Sequence, residues 1–317
     1  MNILVTGATG FVGTRLVEIL LNNNITIIAV VRNQSDFLPK RVKQFDVGSL
    51  SSSTDYSSAL KDVDVVIHLA ARVHMMNDAA GDPLTEFRKV NTTGTLNLAR
   101  QAAQAGVSRF IFISSIGVNG NNNKQVFTEL EQPDPQESYA ISKYEAELEL
   151  LALTKEFEIE IVIIRPPLVY GPNAPGNFAS LMKWIDKGIP LPFGAIHNQR
   201  SLVALDNLVS FIIHCIDHPK AANEVFLISD GEDVSTTQLL QKVAKASGKK
   251  SLLLPVPIGL MTMMAKVIGK GDMANRLFGS LQVDSSKARD LLGWQPVITM
   301  DEQLKKTADI YLNEKSL

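Results

Sequence analysis

The 317-residue sequence predicts an α/β fold, a doubly wound parallel sheet with a smaller C-terminal lobe. Three observations carry the prediction. Short, wholly apolar runs read as strands buried on both faces, and they alternate with helical stretches of ten or more residues. A glycine-spaced turn, Gly7-Ala-Thr-Gly10-Phe-Val-Gly13, joins the first run to the first helix. Beyond Pro166-Pro167 the alternation loosens, and prolines and glycines become frequent from Gly171 to Gly194. The expected division is residues 1–166 for the sheet domain and 167–317 mainly for the lobe, with some later segments returning to the first core. One core stops growing at about 250–300 residues, so a chain of this length suits that division.

Each element has its own warrant. Asn2 to Thr6 is the first buried strand, and Phe11 to Leu21 follows with apolar residues at helical spacing until Asn22-Asn-Asn24 ends it. Ile25 to Val31 is the second strand, and Val63 to Leu69 another. A long helical stretch covers Pro83 to Ala105, and the strand pattern returns from Arg109 to Ser114. Glu137 to Phe157 reads as a helix and Glu160 to Ile164 as the next strand.

Composition removes several functions. The chain is 45% apolar and 20% charged with a net charge of −2, which gives no electrostatic case for nucleic acid. Cys215 is the lone cysteine, so no intramolecular disulfide or thiolate metal site is expected, and a reducing cytoplasm suits the chain. The run after Met1 is too short and lacks the basic head of a signal peptide. Leu252 to Ile268 is strongly apolar and rich in methionine, but Pro255, Pro257 and Lys266 interrupt it. A spanning helix needs about 20 uninterrupted apolar residues. The expectation is a loop and a packed helix of the lobe without membrane insertion; contact with a membrane or a membrane-bound partner is the alternative.

The motifs point to chemistry at a dinucleotide. Gly7, Gly10 and Gly13 stand between a strand and a helix, where the backbone can approach a pyrophosphate and a helix N-terminus offers free N–H groups. An NAD site usually carries an acidic residue after the second strand, about 20 residues past the glycines. Here the chain reads Val31-Arg32-Asn33, and Arg32 can pair with a 2′-phosphate instead, which favours NADP(H) over NAD(H). Asp46 is a candidate adenine contact or a turn residue. Tyr139 and Lys143, in Tyr139-Ala-Ile-Ser-Lys143, share one helix face. A nearby ammonium favours the phenolate, which makes Tyr139 a workable acid or base, and Ser115 can steady a reacting oxygen. His68 reads as a satisfied core histidine; His74, beyond the strand end, is a candidate substrate contact. The guanidiniums of Arg165 and Arg200 suit diphosphate oxygens, or a surface role.

In series, these motifs resemble the extended short-chain dehydrogenase/reductase family, in its nucleotide-sugar epimerase/dehydratase branch. The matching stretches are Thr6-Gly-Ala-Thr-Gly-Phe-Val-Gly13, His68-Leu-Ala-Ala71, Asn91 with Gly94-Thr95, Ser114-Ser115 and Tyr139-x-x-x-Lys143. They continue through Arg165-Pro-Pro-Leu-Val-Tyr-Gly-Pro172, Arg200-Ser-Leu-Val-Ala-Leu-Asp206, Asp284-Ser-Ser-Lys-Ala288 and Leu292-Gly-Trp294. The resemblance implies a Rossmann domain for NAD(P), a lobe for a UDP-sugar, and hydride exchange at sugar C4. Thr9, Phe11, Val12, Leu69, Ala70, Ala71, Asn91 and Pro166 would join the glycines around the cofactor. Lys143 would hold the nicotinamide ribose. Asn177, Arg200 and Arg276 would meet the diphosphate, and Pro190-Leu-Pro192-Phe193 the uracil. Members often dimerise through the helices near residues 84–105 and 137–153, so a homodimer is expected.

Departures from the pattern narrow the reaction. The 4,6-dehydratases carry an Asp-Glu pair after the Ser/Thr, and this chain has Ile116-Gly117, so dehydration is not expected. Nor is there a cysteine beside the serine for 3,5-epimerisation. Two reactions survive: 4-keto reduction of a UDP-4-keto-6-deoxy-hexosamine for surface polysaccharide, and 4-epimerisation of a UDP-hexose with bound NAD. Arg32, and Arg165-Pro-Pro-Leu168 where galactose-type epimerases read Arg-Tyr-Phe-Asn, lean toward the reductase. A non-catalytic NADPH sensor is the third reading, opposed by the intact Ser115, Tyr139 and Lys143.

Overall fold

The computed structural model describes residues 1–23, 25–73, 82–267, 269 and 271–315, with the side chains of Asn177, Asp272, Met273, Asn275 and Arg276 left aside. Seven parallel strands form the main sheet in the order β3-β2-β1-β4-β5-β6-β9. They are β1 (Asn2–Thr6), β2 (Thr26–Val31), β3 (Lys43–Asp46), β4 (Val65–His68), β5 (Arg109–Ile113), β6 (Glu160–Arg165) and β9 (Glu224–Leu227). A second sheet, ordered β10-β8-β7, joins β7 (Leu168–Tyr170), β8 (Arg200–Ala204) and β10 (Asp233–Val234). The helices are α1 (Phe11–Asn22), α2 (Pro83–Phe87), α3 (Thr95–Gln104), α4 (Ser138–Leu153), α5 (Asn177–Asp186) and α6 (Leu205–His214). Then come α7 (Thr236–Ala246), α8 (Ile258–Val267), α9 (Gly271–Phe278), α10 (Ser286–Leu292) and α11 (Met300–Lys315).

The apolar runs are explained by two cores. Successive strand residues point to opposite faces. Ile3, Val5, Ile27, Ala29 and Ile111 therefore pack under α1, α6 and α10, through Leu16, Leu20, Phe211 and Leu292. Leu4, Ile28, Phe110 and Phe112 pack on the other face against Leu98 of α3 and Leu150 of α4. A parallel sheet covered on both faces is the result. The lobe has its own cluster, with Tyr170, Phe178, Leu202, Leu240 and Leu304.

Element ends differ from the sequence expectation by at most four residues, within ordinary fraying except for α4, which stops at Leu153. The stretch from Pro83 to Ala105 is helical but not uniform: residues Arg88–Gly94 form a π-helical turn between α2 and α3. Hydroxyls help to widen it, since Thr93 donates to the carbonyl of Lys89 (2.8 Å) and Thr92 to that of Ser142 (2.9 Å).

Candidate active site

The glycine turn is built for a close ligand. Gly7 adopts φ +70°, and a methyl there would lie 2.8 Å from the Ala70 nitrogen. A methyl on Gly13 would lie 2.0 Å from the Gly7 carbonyl oxygen, a collision of backbone and not of a flexible side chain. Gly10 caps α1 with no side-chain hydrogen bond, so the first-turn N–H groups face outward from a bare helix end. Thr9 is exposed on this turn, while Phe11 and Val12 are half-buried, packing against the core. These residues fit a dinucleotide pyrophosphate.

The opposite wall is the segment after β4. Ala70 donates its N–H to the Thr6 hydroxyl at 3.2 Å, which holds Leu69, Ala70 and Ala71 beside the glycine turn. Asn91, fully buried in the π-turn, accepts from the Arg72 N–H at 2.8 Å and donates to the Arg72 carbonyl and the Ser142 hydroxyl, each at 3.0 Å. Its amide is thus committed to bracing this wall against α4. At the outer end, Asp46 is the last residue of β3, in register with Val31, and accepts from the Gly48 N–H at 3.1 Å. Arg32 stands exposed just past β2.

Ser115, Tyr139 and Lys143 come together where β5 ends and α4 begins. Ser115 caps the 3-10 turn Ile116–Val118, its hydroxyl accepting from the Gly117 N–H at 3.1 Å. A methyl on Gly117 would sit 3.3 Å from both the Ser115 hydroxyl and the Ala140 methyl, so this turn presses on the first turn of α4. The Pro166 carbonyl fixes the turn from behind by accepting from the Ile116 N–H (3.0 Å). Ile116 packs against Leu227, Leu281 and Val283, in a setting without proton chemistry.

Lys143 is 1% exposed; its ammonium donates to the Ile113 carbonyl at 2.8 Å and lies 4.3 Å from the centre of the Phe112 ring. Burial lowers its pKa to about 7, against the opposing pull of Glu147. Tyr139 meets Phe87 edge-on with centroids 6.0 Å apart, and burial raises its pKa to about 12. Burial penalises the charged form and so opposes the phenolate that the neighbouring ammonium favours.

Behind these residues lies a buried charge network that the motif reading missed. Glu147, four residues past Lys143, receives the Arg165 guanidinium at 2.5 to 3.2 Å, and the Ser114 hydroxyl donates to it as well. Arg165 also donates to the Asn119 side-chain oxygen at 2.9 Å. Arg165 is therefore not a diphosphate ligand: its fork is spent on Glu147 inside the core. The signal was the further four-residue step on one helix face, from Tyr139 to Lys143 to Glu147. His68 matches the core reading, held between Thr6 (2.7 Å) and Thr95 (2.8 Å), with burial, then Lys143, lowering its pKa to about 3.

The lobe residues are placed less tightly. Arg200 opens β8 and donates to the Gly279 carbonyl at 3.0 Å; burial lowers its pKa. Pro192 and Phe193 are half-buried, and the Phe193 carbonyl accepts from the Thr237 hydroxyl at 2.6 Å. Asn177 begins α5 and Arg276 lies on α9, with side chains outside the described set. His74 lies outside the described residues. Replacing Arg200 by Ala should weaken UDP binding by about 1.5–3 kcal/mol, the range for a hydrogen bond to a charged group, without altering dinucleotide affinity. Calorimetry on both ligands checks this; equal losses would make Arg200 a support of the fold.

Comparison with known proteins agrees with this geometry. The profile of the NAD dependent epimerase/dehydratase family matches residues 3–229. A UDP-glucose 4-epimerase of Vibrio cholerae is 50% identical, over 98% of this chain and 95% of its own. The N-acetyl-α-D-glucosaminyl-diphospho-ditrans,octacis-undecaprenol 4-epimerase of Escherichia coli O157:H7 is 30% identical, over 96% and 94%. Among solved structures, the UDP-glucuronic acid 4-epimerase of Bacillus cereus in complex with NAD superposes with a TM-score of 0.81 at 26% identity, covering 99% of each chain. With its seven-stranded parallel sheet, its glycine cradle and its Ser-Tyr-Lys cluster, the chain belongs to the NAD dependent epimerase/dehydratase family, as an enzyme of the extended short-chain dehydrogenase/reductase type.

Proposed function

We propose that this enzyme is a UDP-sugar 4-epimerase that exchanges hydride at C4 of the hexose. The observation that carries the reading is that Lys143 reaches the Ile113 carbonyl at the end of β5, while the Ser115 turn presses on Ala140, the residue after Tyr139. A nicotinamide dinucleotide, when bound, supplies reversible hydride acceptance at that carbon. The residues do the rest. The Ser115 hydroxyl, held at the strand end, steadies the C4 oxygen by a hydrogen bond. The Tyr139 phenolate takes the proton of the C4 hydroxyl as hydride leaves C4, and the phenol so formed returns it to the keto oxygen when hydride comes back. Lys143 would orient the ribose, and in its protonated form it favours the Tyr139 phenolate. The 50% identical relative supports C4 epimerisation, and NAD in the related structure supports NAD(H) as the cofactor.

A second reading, 4-keto reduction with NADPH, is favoured by one observation: Arg32 stands exposed just past β2, where an NAD site usually carries an acid. Purified enzyme incubated with UDP-glucose and with UDP-N-acetylglucosamine separates the two. Epimerisation converts one of them to its C4 epimer without added cofactor, visible as a new anomeric proton signal. Stoichiometric NADPH oxidation by a UDP-4-keto-6-deoxy-hexosamine, with neither UDP-hexose converted, would instead establish the reductase.

A further inference from the structure

The outward face of α8 is apolar. Leu260, Met263, Met264 and Val267 fall at the i, i+3, i+4, i+7 spacing of a single stripe, and all four are exposed, Met263 by 60% and Val267 by 81%. In a helix of a globular domain that stripe normally faces the core; here Met261 takes the inward position. Leu252 and Leu254, just ahead of α8, extend the exposed apolar surface. The segment that carries them is fixed in place, because Leu191 donates to the Leu252 carbonyl and the Leu254 N–H returns a bond to Leu191, both at 2.8 Å.

The segment that carries this surface is basic. Between Asp233 and Asp272 the sequence contains no carboxylate, but it carries Lys242, Lys245, Lys249, Lys250, Lys266 and Lys270. Lys242 pairs with Glu232 and Asp301 and Lys249 with Asp186, so the charge offered to a partner rests on Lys250 and Lys266. The paired segment from Lys187 to Leu205 is likewise free of Asp and Glu. Lys250, two residues ahead of Leu252, and Lys266, in α8 itself, are exposed. In a chain whose net charge is −2, this concentration of lysine at an apolar face is a local asymmetry. Among the described residues no helix is long and apolar enough to cross a membrane.

We propose that this face docks the enzyme on an anionic phospholipid surface. The α8 stripe lies in the boundary between headgroups and acyl chains, and the lysines meet the negative headgroups. The contact is peripheral, and it goes beyond the sugar chemistry, since neither Met263 nor Lys250 belongs to the candidate active site.

Flotation of the full chain with vesicles tests it, using phosphatidylcholine alone and phosphatidylcholine with phosphatidylglycerol. The protein is expected to float with the anionic vesicles, to bind the neutral ones far more weakly, and to be released as salt rises. A lysine near an anionic surface contributes about 1 kcal/mol, about fivefold. The double change Lys250→Glu with Lys266→Glu should therefore weaken binding by at least about 25-fold. Met263→Glu with Met264→Glu should abolish flotation while leaving turnover of a free UDP-sugar unchanged. The proposal is overturned if wild type ignores anionic vesicles, or binds neutral and anionic ones equally at all salt concentrations. It is overturned as well if sedimentation shows a dimer that Met263→Glu with Met264→Glu splits, because the face then belongs to a second copy of the chain.

Discussion

Replacing Tyr139 by Phe is expected to lower kcat by about 100- to 10,000-fold, the contribution of a positioned proton donor and acceptor. The substitution keeps the ring and its edge contact with Phe87, so packing is preserved and only the hydroxyl is lost. Dinucleotide affinity should stay within a few-fold of wild type, because the glycine turn, Ala70 and Lys143 remain. Thermal unfolding should also be unaltered. A variant that keeps full turnover would remove Tyr139 from the reaction. A variant that loses turnover together with its melting temperature would show that the hydroxyl supports the fold and leave the proton unassigned to this side chain.

The second large effect is on stability. The Arg165–Glu147 pair is closed to solvent, with side chains 6% and 2% exposed. Removing one partner of such a pair strands an uncompensated charge, at about 3–5 kcal/mol. Glu147→Ala should therefore lower the unfolding free energy by that amount, read as a lower urea midpoint at unchanged slope, and Arg165→Met alone should cost a similar amount. Replacing both by apolar residues of similar size should recover most of the loss, since a well-packed apolar pair often equals a buried ion pair. The double-mutant cycle reads the coupling directly. A Glu147→Ala cost below about 1 kcal/mol would mean that water or a relaxed Arg165 side chain compensates the charge. Because Ser114 and Lys143 both feel Glu147, the same variant should slow turnover in whatever fraction remains folded.

The nucleotide-binding half was legible from the sequence because its signals are local. Residues 3–5 are apolar throughout since both faces of β1 are covered, and Gly7 and Gly13 are glycines because backbone crowds the place where a side chain would begin. Tyr139 and Lys143 are read from one helical turn. What was not legible depends on distant pairings. Arg165 resembles a ligand arginine until Glu147 is placed beside it. The π-turn over residues 88–94 looks helical by pattern, and only the bonds of Asn91 to Arg72 and Ser142 show why it is widened. The strands of the lobe are short: β10 has two residues and β7 three, too few for any periodicity to register. The ionisation state of Tyr139 depends on burial, which no spacing reveals.

The place of β9 bears on how the protein is made. It is the seventh strand of the main sheet and pairs with β6, with Ile163 facing Val225. One further tie crosses the same gap: the Asn223 side chain accepts from the Ile161 N–H at 3.0 Å. On the ribosome, β6 is complete once Arg165 has been added, but its partner is not finished until Leu227. At about 5–20 residues per second, that leaves an interval of about 3–12 s. During this time Ile161-Val-Ile-Ile164 is an open, apolar strand edge, the kind of surface on which nascent chains aggregate. Holdase chaperones or slow translation over residues 166–227 would act within that window, and an N-terminal fragment ending near residue 166 would carry the open edge permanently.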